Sequence, residues 1–586
     1  MSDSRAEQAT VAPAGRAALA RRLREQLGPV PRSDEWPPVS IVVVNRDGED
    51  HLRLLLPRLA TATDYPQLEL ILVDNDSQDG SVELARSLSL PFPLTVVEND
   101  ENHSFSDANN DGAERAGRDL LLFLNNDIEP FEPGWLKELV ACLEQSDATA
   151  VGATLLHGEN YRGASQAEYV IQHRGVEFGR EAGRLVPLNS GDDEDLRTWT
   201  GEDLPTPALT AACLLVRRAD FDRVSGFTTG FQWGWEDVDF GLKLASGGDG
   251  LLCSGRSLLI HRQSSTRFQK GQEWRRRTKA HNQRLFMERW GPQANREYML
   301  ERFAGGRFWS DSRPPHLALA LSGRDERDLR ARELADAIEE LGWRVGLVEP
   351  RPDGWGELPA DTDFTLVADP AFGASAFPDA PCVAWVGDEA ERWADTPLLR
   401  RAELTVVDRL GLARNLEAAG IAPLLFEGAA DAQRLLTLLR ERVQRLRFCL
   451  KLSREWELER AALALRNSLE SRGHACRLQL ADEWESLGGL TADVAVAIGE
   501  PGDYLGKPAQ LNVLWTPTPP EPIRCDGWDL ILLPDEQAAL SLGAETPTTV
   551  AALDLESTVE GADRLLALTA EVAARDGIRS RLRAQA

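Results

Sequence analysis

Long apolar runs are missing from this 586-residue chain. Nothing in it approaches the roughly 20 consecutive apolar residues of a membrane-spanning helix, and the first residues lack the apolar stretch of a secretory signal. Positive charge is also short: 65 Lys and Arg face 94 Asp and Glu, a formal net charge of −29. Nucleic-acid binding draws its affinity from basic surface, so no nucleic-acid partner is expected. Attachment to anionic lipid by charge alone is disfavoured for the same reason. Lysine is scarce, and arginine carries nearly all of the positive charge. The 7 cysteines are scattered, odd in number and never in C-x-x-C spacing. Neither a zinc site nor a disulfide framework is indicated; reduced core thiols in a cytoplasmic protein fit best. P-loop, H-E-x-x-H and G-x-S-x-G signatures are absent as well.

What is present is the balance of a globular protein, 42% hydrophobic and 27% charged, in a chain long enough for two to four domains. Residues 1–36 read as a lead-in, partly helical or disordered, with Leu19, Leu23 and Leu27 at helical spacing. From 37 to about 310, apolar strands alternate with helical patterns: Val39–Asn45, Leu68–Val73, Leu94–Val97 and Leu120–Leu124. That alternation predicts a parallel α/β sheet, whose ligands bind beyond the carboxyl ends of the strands. Those ends carry Asn45, Asp74 and the run Asn125, Asn126, Asp127. The acidic cluster Asp192 to Asp195 reads as a solvated loop, and Pro314 with Pro315 as a linker.

An ordered set of motifs runs through this region. It comprises Val39–Asn45, Asp74 to Gly80, Asn102 to Asn110, Leu122 to Asp127, Ala211 to Arg217, Gly226 with Phe227, Trp235 to Asp239, His261, and His281-Asn282 to Trp290. Together they resemble a family 2 glycosyltransferase of GT-A fold over residues 37–300. The resemblance implies a nucleoside diphosphate sugar of UDP or dTDP type, contacted by Asn45, Asp74, Asn102, Asn109, Asn125 and Asn126, with Asp74 on the base. It implies a divalent cation, Mn²⁺ or Mg²⁺, on Asp127 and His261. The chemistry agrees: a departing diphosphate needs a cation, and Mn²⁺ takes both carboxylate oxygen and imidazole. Asn125 stands where the family motif has a first Asp, which leaves more of the metal contact to Asp127.

Asp237 is the expected catalytic base, with Glu236 as the partner for acceptor hydroxyls. Its place at a helix start favours the carboxylate and lowers its basicity; Asp239 is read as a helix cap. Trp233 and Trp235 suit either a sugar face or the core. The function implied is inverting transfer of a sugar to a hydroxyl of a glycan, lipid-linked or protein acceptor. Surface polysaccharide or glycoprotein assembly is the expected setting, in the cytoplasm or peripheral at the inner face of the membrane. A nucleotidyltransferase would need a Gly-rich basic loop where Asn45 to Asp50 stands. A binding-only scaffold would not need Asp127, Asp237 and His261 together.

The remainder is an internal repeat. Segments beginning at His316 and Phe448 are followed by matching strands and helices at an offset of roughly 130 residues, a domain-sized period. Two Rossmann-like units, 316–445 and 446–586, are expected, weakly similar to the halves of GT-B enzymes. No Gly-rich phosphate loop follows their first strands; Gly323-Arg324-Asp325 and Arg454-Glu455-Trp456 stand there. Acceptor docking or homo-oligomer formation is the expected role, and a second catalytic module the alternative.

Overall fold

The computed structural model describes residues 13–576 apart from 34, 159–169, 182–183, 192–195, 197–198, 247–249, 263–271, 305–313, 322–325, 349, 352–353, 356–357, 360, 373–379, 388–392, 394–398, 400–401, 419–420, 453–455, 481–489, 500–505, 522–524, 526 and 555–557. The acidic run 192–195 and most of the two loops following the first tandem strands lie outside the described residues. The described chain divides into two compact units. One takes the chain up to Glu177 and Pro187–Gln283; the other takes Phe178–Val186 and everything from Arg284.

The first unit is built on a ten-stranded mixed sheet. Its strands are β1 (Val39–Asn45), β2 (Leu68–Asn75), β3 (Leu94–Asn99), β4 (Leu120–Leu124), β5 (Ile128–Pro130), β6 (Ala150–His157), β7 (Ile171–His173), β8 (Leu204–Thr206), β9 (Cys213–Arg217) and β10 (Leu251–His261). The order is β8-β10-β6-β9-β4-β1-β2-β3, with β5 on β10 and β7 on β6. β3, β2, β1 and β4 are parallel, and β9 enters antiparallel beside β4.

Alternate residues of the central strands go to opposite faces, and both faces are buried. Ile41, Val43, Leu70, Leu72, Leu122 and Leu215 pack with Leu52, Leu56, Trp135 and Leu139. Val42, Ile71, Val73, Phe123 and Leu214 pack on the other side with Ala108, Phe221, Phe227 and Phe240. The N-terminal segment contributes helix α1 (Pro13–Leu27), whose Leu23 is buried with Phe131, Leu156, Ile171 and Trp199. Arg24 bonds Glu138 and Glu132, and Arg256 also bonds Glu138 (2.8 Å).

In the second unit, two six-stranded parallel sheets have the same order: second, first, third, fourth, fifth, sixth strand. They begin at His316–Ala320 and Arg447–Leu452 and lie within the two expected repeats. The duplication reaches individual hydrogen bonds. Asp363 exchanges backbone and carboxylate bonds with the backbone of His316, and Asp493 does the same with Arg447. The division between units falls at Gln283, inside the helix Gln272–Ala304, whereas the sequence places it near 310. Beyond Gln283 this helix turns Phe286, Trp290 and Tyr298 inward. Tyr298 bonds Asp363, Arg296 bonds Asp493, and the Glu288 carbonyl accepts the Ala509 N–H (3.1 Å). All seven cysteines are buried and none is in a disulfide. Among the described residues no helix is long and apolar enough to cross a membrane.

Candidate active site

The carboxyl ends of β1, β2 and β4 meet on one side of the sheet, because Asn45 and Asp74 are register partners in neighbouring parallel strands. Asn45 is buried, and its Oδ1 accepts from Asn126 Nδ2 (2.8 Å). The chain after β1 passes this pair so closely that a Cβ on Gly48 would stand 2.3 Å from Asn45 Oδ1 and 2.6 Å from Asn126 Nδ2. Asp74 combines two roles. Its Oδ2 accepts the Ser77 N–H (3.0 Å) in an Asx turn, while its buried Oδ1 has no hydrogen-bond partner in the described structure. Asp79 serves the turn, accepting the N–H groups of Glu49 (2.9 Å) and Ser81 (3.0 Å).

The other residues expected to contact a nucleotide sugar are distributed differently. Asn102 is exposed and accepts from Asn75 Nδ2 (3.2 Å), helping hold the loop after β3 against the end of β2. Asn109 is buried in helix Phe105–Arg115, with its amide nitrogen committed to the Phe105 carbonyl (2.8 Å). Asn125 is half-buried, and its N–H donates to the Ala212 carbonyl (3.1 Å).

Asp127 and His261 are far apart in sequence but adjacent in space. β5 pairs antiparallel with β10, setting Ile128 opposite His261. His261 Nε2 lies 3.3 Å from Asp127 Oδ1. Gln172 of β7 fixes the imidazole. Its Nε2 donates to the His261 carbonyl (3.3 Å), so its Oε1 faces His261 Nδ1 (2.7 Å) as an acceptor. With Nδ1 turned to Gln172, Nε2 is the ring nitrogen that faces Asp127. The pair, one imidazole nitrogen and one carboxylate, is of the kind that would hold a divalent cation such as Mn²⁺, which accepts both donor types. No cluster of three or more His, Cys, Asp or Glu able to hold a metal occurs among the described residues.

The residues expected to face the acceptor lie at the start of helix Glu236–Ala245 and in the loop before it. Trp233, Gly234 and Trp235 all have left-handed backbone, with φ of 81°, 111° and 74°. Two side chains hold them. The Glu236 carboxylate accepts the Gly234 N–H (2.5 Å), and Asn282 accepts the Gln232 N–H (2.9 Å) while donating to the Gly234 carbonyl (2.7 Å). Asp239 accepts from Thr228 (2.5 Å) and is not the helix cap.

Asp237 receives the Ala211 N–H (3.3 Å) and its neighbour Val238 N–H (2.9 Å). Burial pushes its carboxyl above the usual carboxylate range, against the lowering effect of the Thr210 hydroxyl and these N–H groups. The lowered basicity anticipated from the helix start is therefore corrected: desolvation outweighs the helix end. Gln172 and the clamp made by Asn282 had no sequence signal of their role. Gln172 lies in a stretch of weak periodicity, and Asn282 stood out only as part of a motif.

Residues 39–192 match the family described as Glycosyl transferase family 2. This region is a family 2 glycosyltransferase domain. Over 241 residues the chain is 34% identical to the O-antigen biosynthesis protein RfbC of Myxococcus xanthus, covering 39% of this chain and 18% of that protein. It thus spans under a fifth of that relative's length. Among solved structures it is similar to GalNAc-T7 with UDP, GalNAc and Mn²⁺, at 16% identity and a TM-score of 0.36, covering 52% of this chain and 61% of the other. It is also similar to the mannosyltransferase PcManGT from Pyrobaculum calidifontis with GDP-Man and Mn²⁺, at 16% identity and a TM-score of 0.30, covering 50% and 70%. The glycosyltransferase domain contains every strand end described above up to β7; Asp237 and His261 lie beyond the matched stretch.

Proposed function

We propose that this protein is an inverting, metal-dependent glycosyltransferase. It would move one sugar from a UDP- or dTDP-sugar to a hydroxyl of a glycan, lipid-linked or protein acceptor in polysaccharide or glycoprotein assembly. The observation that carries the reading is the juxtaposition of Asp127 with a histidine whose Nε2 faces it while Gln172 holds Nδ1. A divalent cation held there by Asp127 and His261 supplies charge stabilisation for the departing diphosphate. The unpartnered Oδ1 of Asp74 suits the imide N–H of a uracil or thymine ring.

Asp237 takes the proton of the acceptor hydroxyl as its oxygen forms the new bond to the anomeric carbon and the bond to the diphosphate oxygen breaks. One base on the acceptor side suffices for such a single displacement, which inverts the configuration. Asn45, Asn125 and Asn126 frame the donor at the strand ends, with Asn102 and Asn109 on the loop and helix that follow β3. The tandem sheets serve acceptor docking or self-association, and the protein works in the cytoplasm or at the inner membrane face. The test is hydrolysis and transfer over a panel of nucleotide sugars. Excess chelator should abolish both, and added Mn²⁺ or Mg²⁺ should restore them. Asp127→Ala should weaken nucleoside diphosphate binding in a calorimetric titration as well as turnover. Full activity in excess chelator would overturn the metal assignment.

A further inference from the structure

Two tryptophans of the first unit remain outside the core. Trp233 is 38% exposed and Trp274 is 37% exposed, and no other aromatic side chain among the described residues is as open to solvent. They touch each other edge to face, with ring centroids 5.8 Å apart and planes at 68°. Such rings bring large apolar area, and a fold that only needed to bury them would turn them inward. Here the backbone does the reverse. Trp233 is the first of three consecutive left-handed residues, a conformation that strains a bulky side chain and persists only where neighbouring contacts enforce it. Those contacts are the Asn282 clamp on Gln232 and Gly234 and the Glu236 bond to Gly234.

The second ring comes from the helix that carries the clamp. Trp274, Thr278, His281 and Asn282 recur at helical spacing, and His281 Nε2 lies 3.0 Å from the Gly230 carbonyl. Both rings are therefore fixed relative to the loop that ends at Glu236 and Asp237. Exposed polar residues adjoin them along the chain and the helix: Gln232 beside Trp233, and Arg277 and His281 at i+3 and i+7 from Trp274.

We infer that Trp233 and Trp274 form a stacking platform for a pyranose ring of the acceptor, so that the acceptor is a saccharide at the position next to the attacking hydroxyl. A pyranose has an apolar C–H face and a polar hydroxyl rim, and the site offers two aromatic walls with polar side chains at their border. A hydrocarbon chain would leave those polar groups unmatched. The inference rests on the glycosyltransferase reading for its direction, since that reading places the acceptor beside Asp237.

Saturation-transfer NMR on the full-length protein tests it. The probes are the methyl pyranosides of glucose, galactose, mannose, rhamnose and N-acetylglucosamine, together with octyl glucoside, whose ring and alkyl protons are resolved. Saturation should reach ring C–H protons of at least one probe. Trp233→Ala and Trp274→Ala should each weaken that binding by about tenfold, with Trp274→Phe keeping part of it. Trp274 is exposed on its helix, so its variants keep the test available if Trp233→Ala fails to fold. No saturation of any ring, equal saturation in the alanine variants, or saturation confined to the octyl chain would overturn the platform. Calorimetric titrations with UDP and with dTDP, each with Mn²⁺, are run beside it. Binding of either nucleotide without saccharide binding rejects the platform alone, and saccharide binding without binding of either nucleotide rejects the donor reading alone.

Discussion

Asp237 sits where two opposing influences meet, a helix start that favours its charge and a burial that opposes it. Burial wins, and the consequence is a stronger base that is protonated at a higher pH than an ordinary carboxylate. The acid limb of the kcat profile should therefore lie above the usual carboxylate range, with turnover falling as pH drops through it. Asp237→Asn should cost about 100-fold or more in kcat while leaving UDP and Mn²⁺ binding in place, measured by single-turnover transfer and calorimetry. Near-normal turnover would move the role to Glu236. The sequence places Asp237 and Glu236 at a helix start, and the structure has them there. The direction of the Asp237 shift was not legible there, since it is set by burial against partners, Thr210 and Ala211, that only the fold brings to it. Gln172 was equally illegible: a lone glutamine on a three-residue strand announces nothing until β10 brings His261 beside it.

At the scale of elements, the loop before Glu236 depends on a helix that begins almost forty residues later. Asn282→Ala would leave the Gln232 N–H and the Gly234 carbonyl without their buried partner, a loss of about 1–3 kcal/mol if neither finds another. The expected outcome is a lower melting temperature and a raised KM for acceptor, with UDP affinity little changed. Unchanged acceptor kinetics would show that the loop holds its shape without the clamp. The parallel strands of the first unit were plain in the sequence because each is an apolar run ending in polar residues. The β5–β10 pairing was not, because three residues, Ile128–Pro130, carry no periodicity by which to recognise a strand.

Across the whole molecule, the tandem repeat was readable because two domain-sized units keep the same strand order and an equivalent aspartate, Asp363 and Asp493, about 130 residues apart. The unit boundary was not, since a helix with one continuous pattern is shared out between two cores only by what each half contacts. A fragment beginning at Arg284 should consequently melt higher than one beginning at Pro314, which lacks the partners of Asp363 and Asp493. Equal melting temperatures would assign the helix no part in holding the sheets. Neither fragment should transfer sugar, and robust transfer by either would make the protein bifunctional.

The same helix sets the two copies apart. It offers a guanidinium, Arg296, to one of the equivalent aspartates and a phenol, Tyr298, to the other, two positions apart on its surface. Duplication made the sheets alike, but exchanging them along the chain would bring each aspartate to the wrong donor. The two sheets are alike in order, and half a turn of helix tells one from the other.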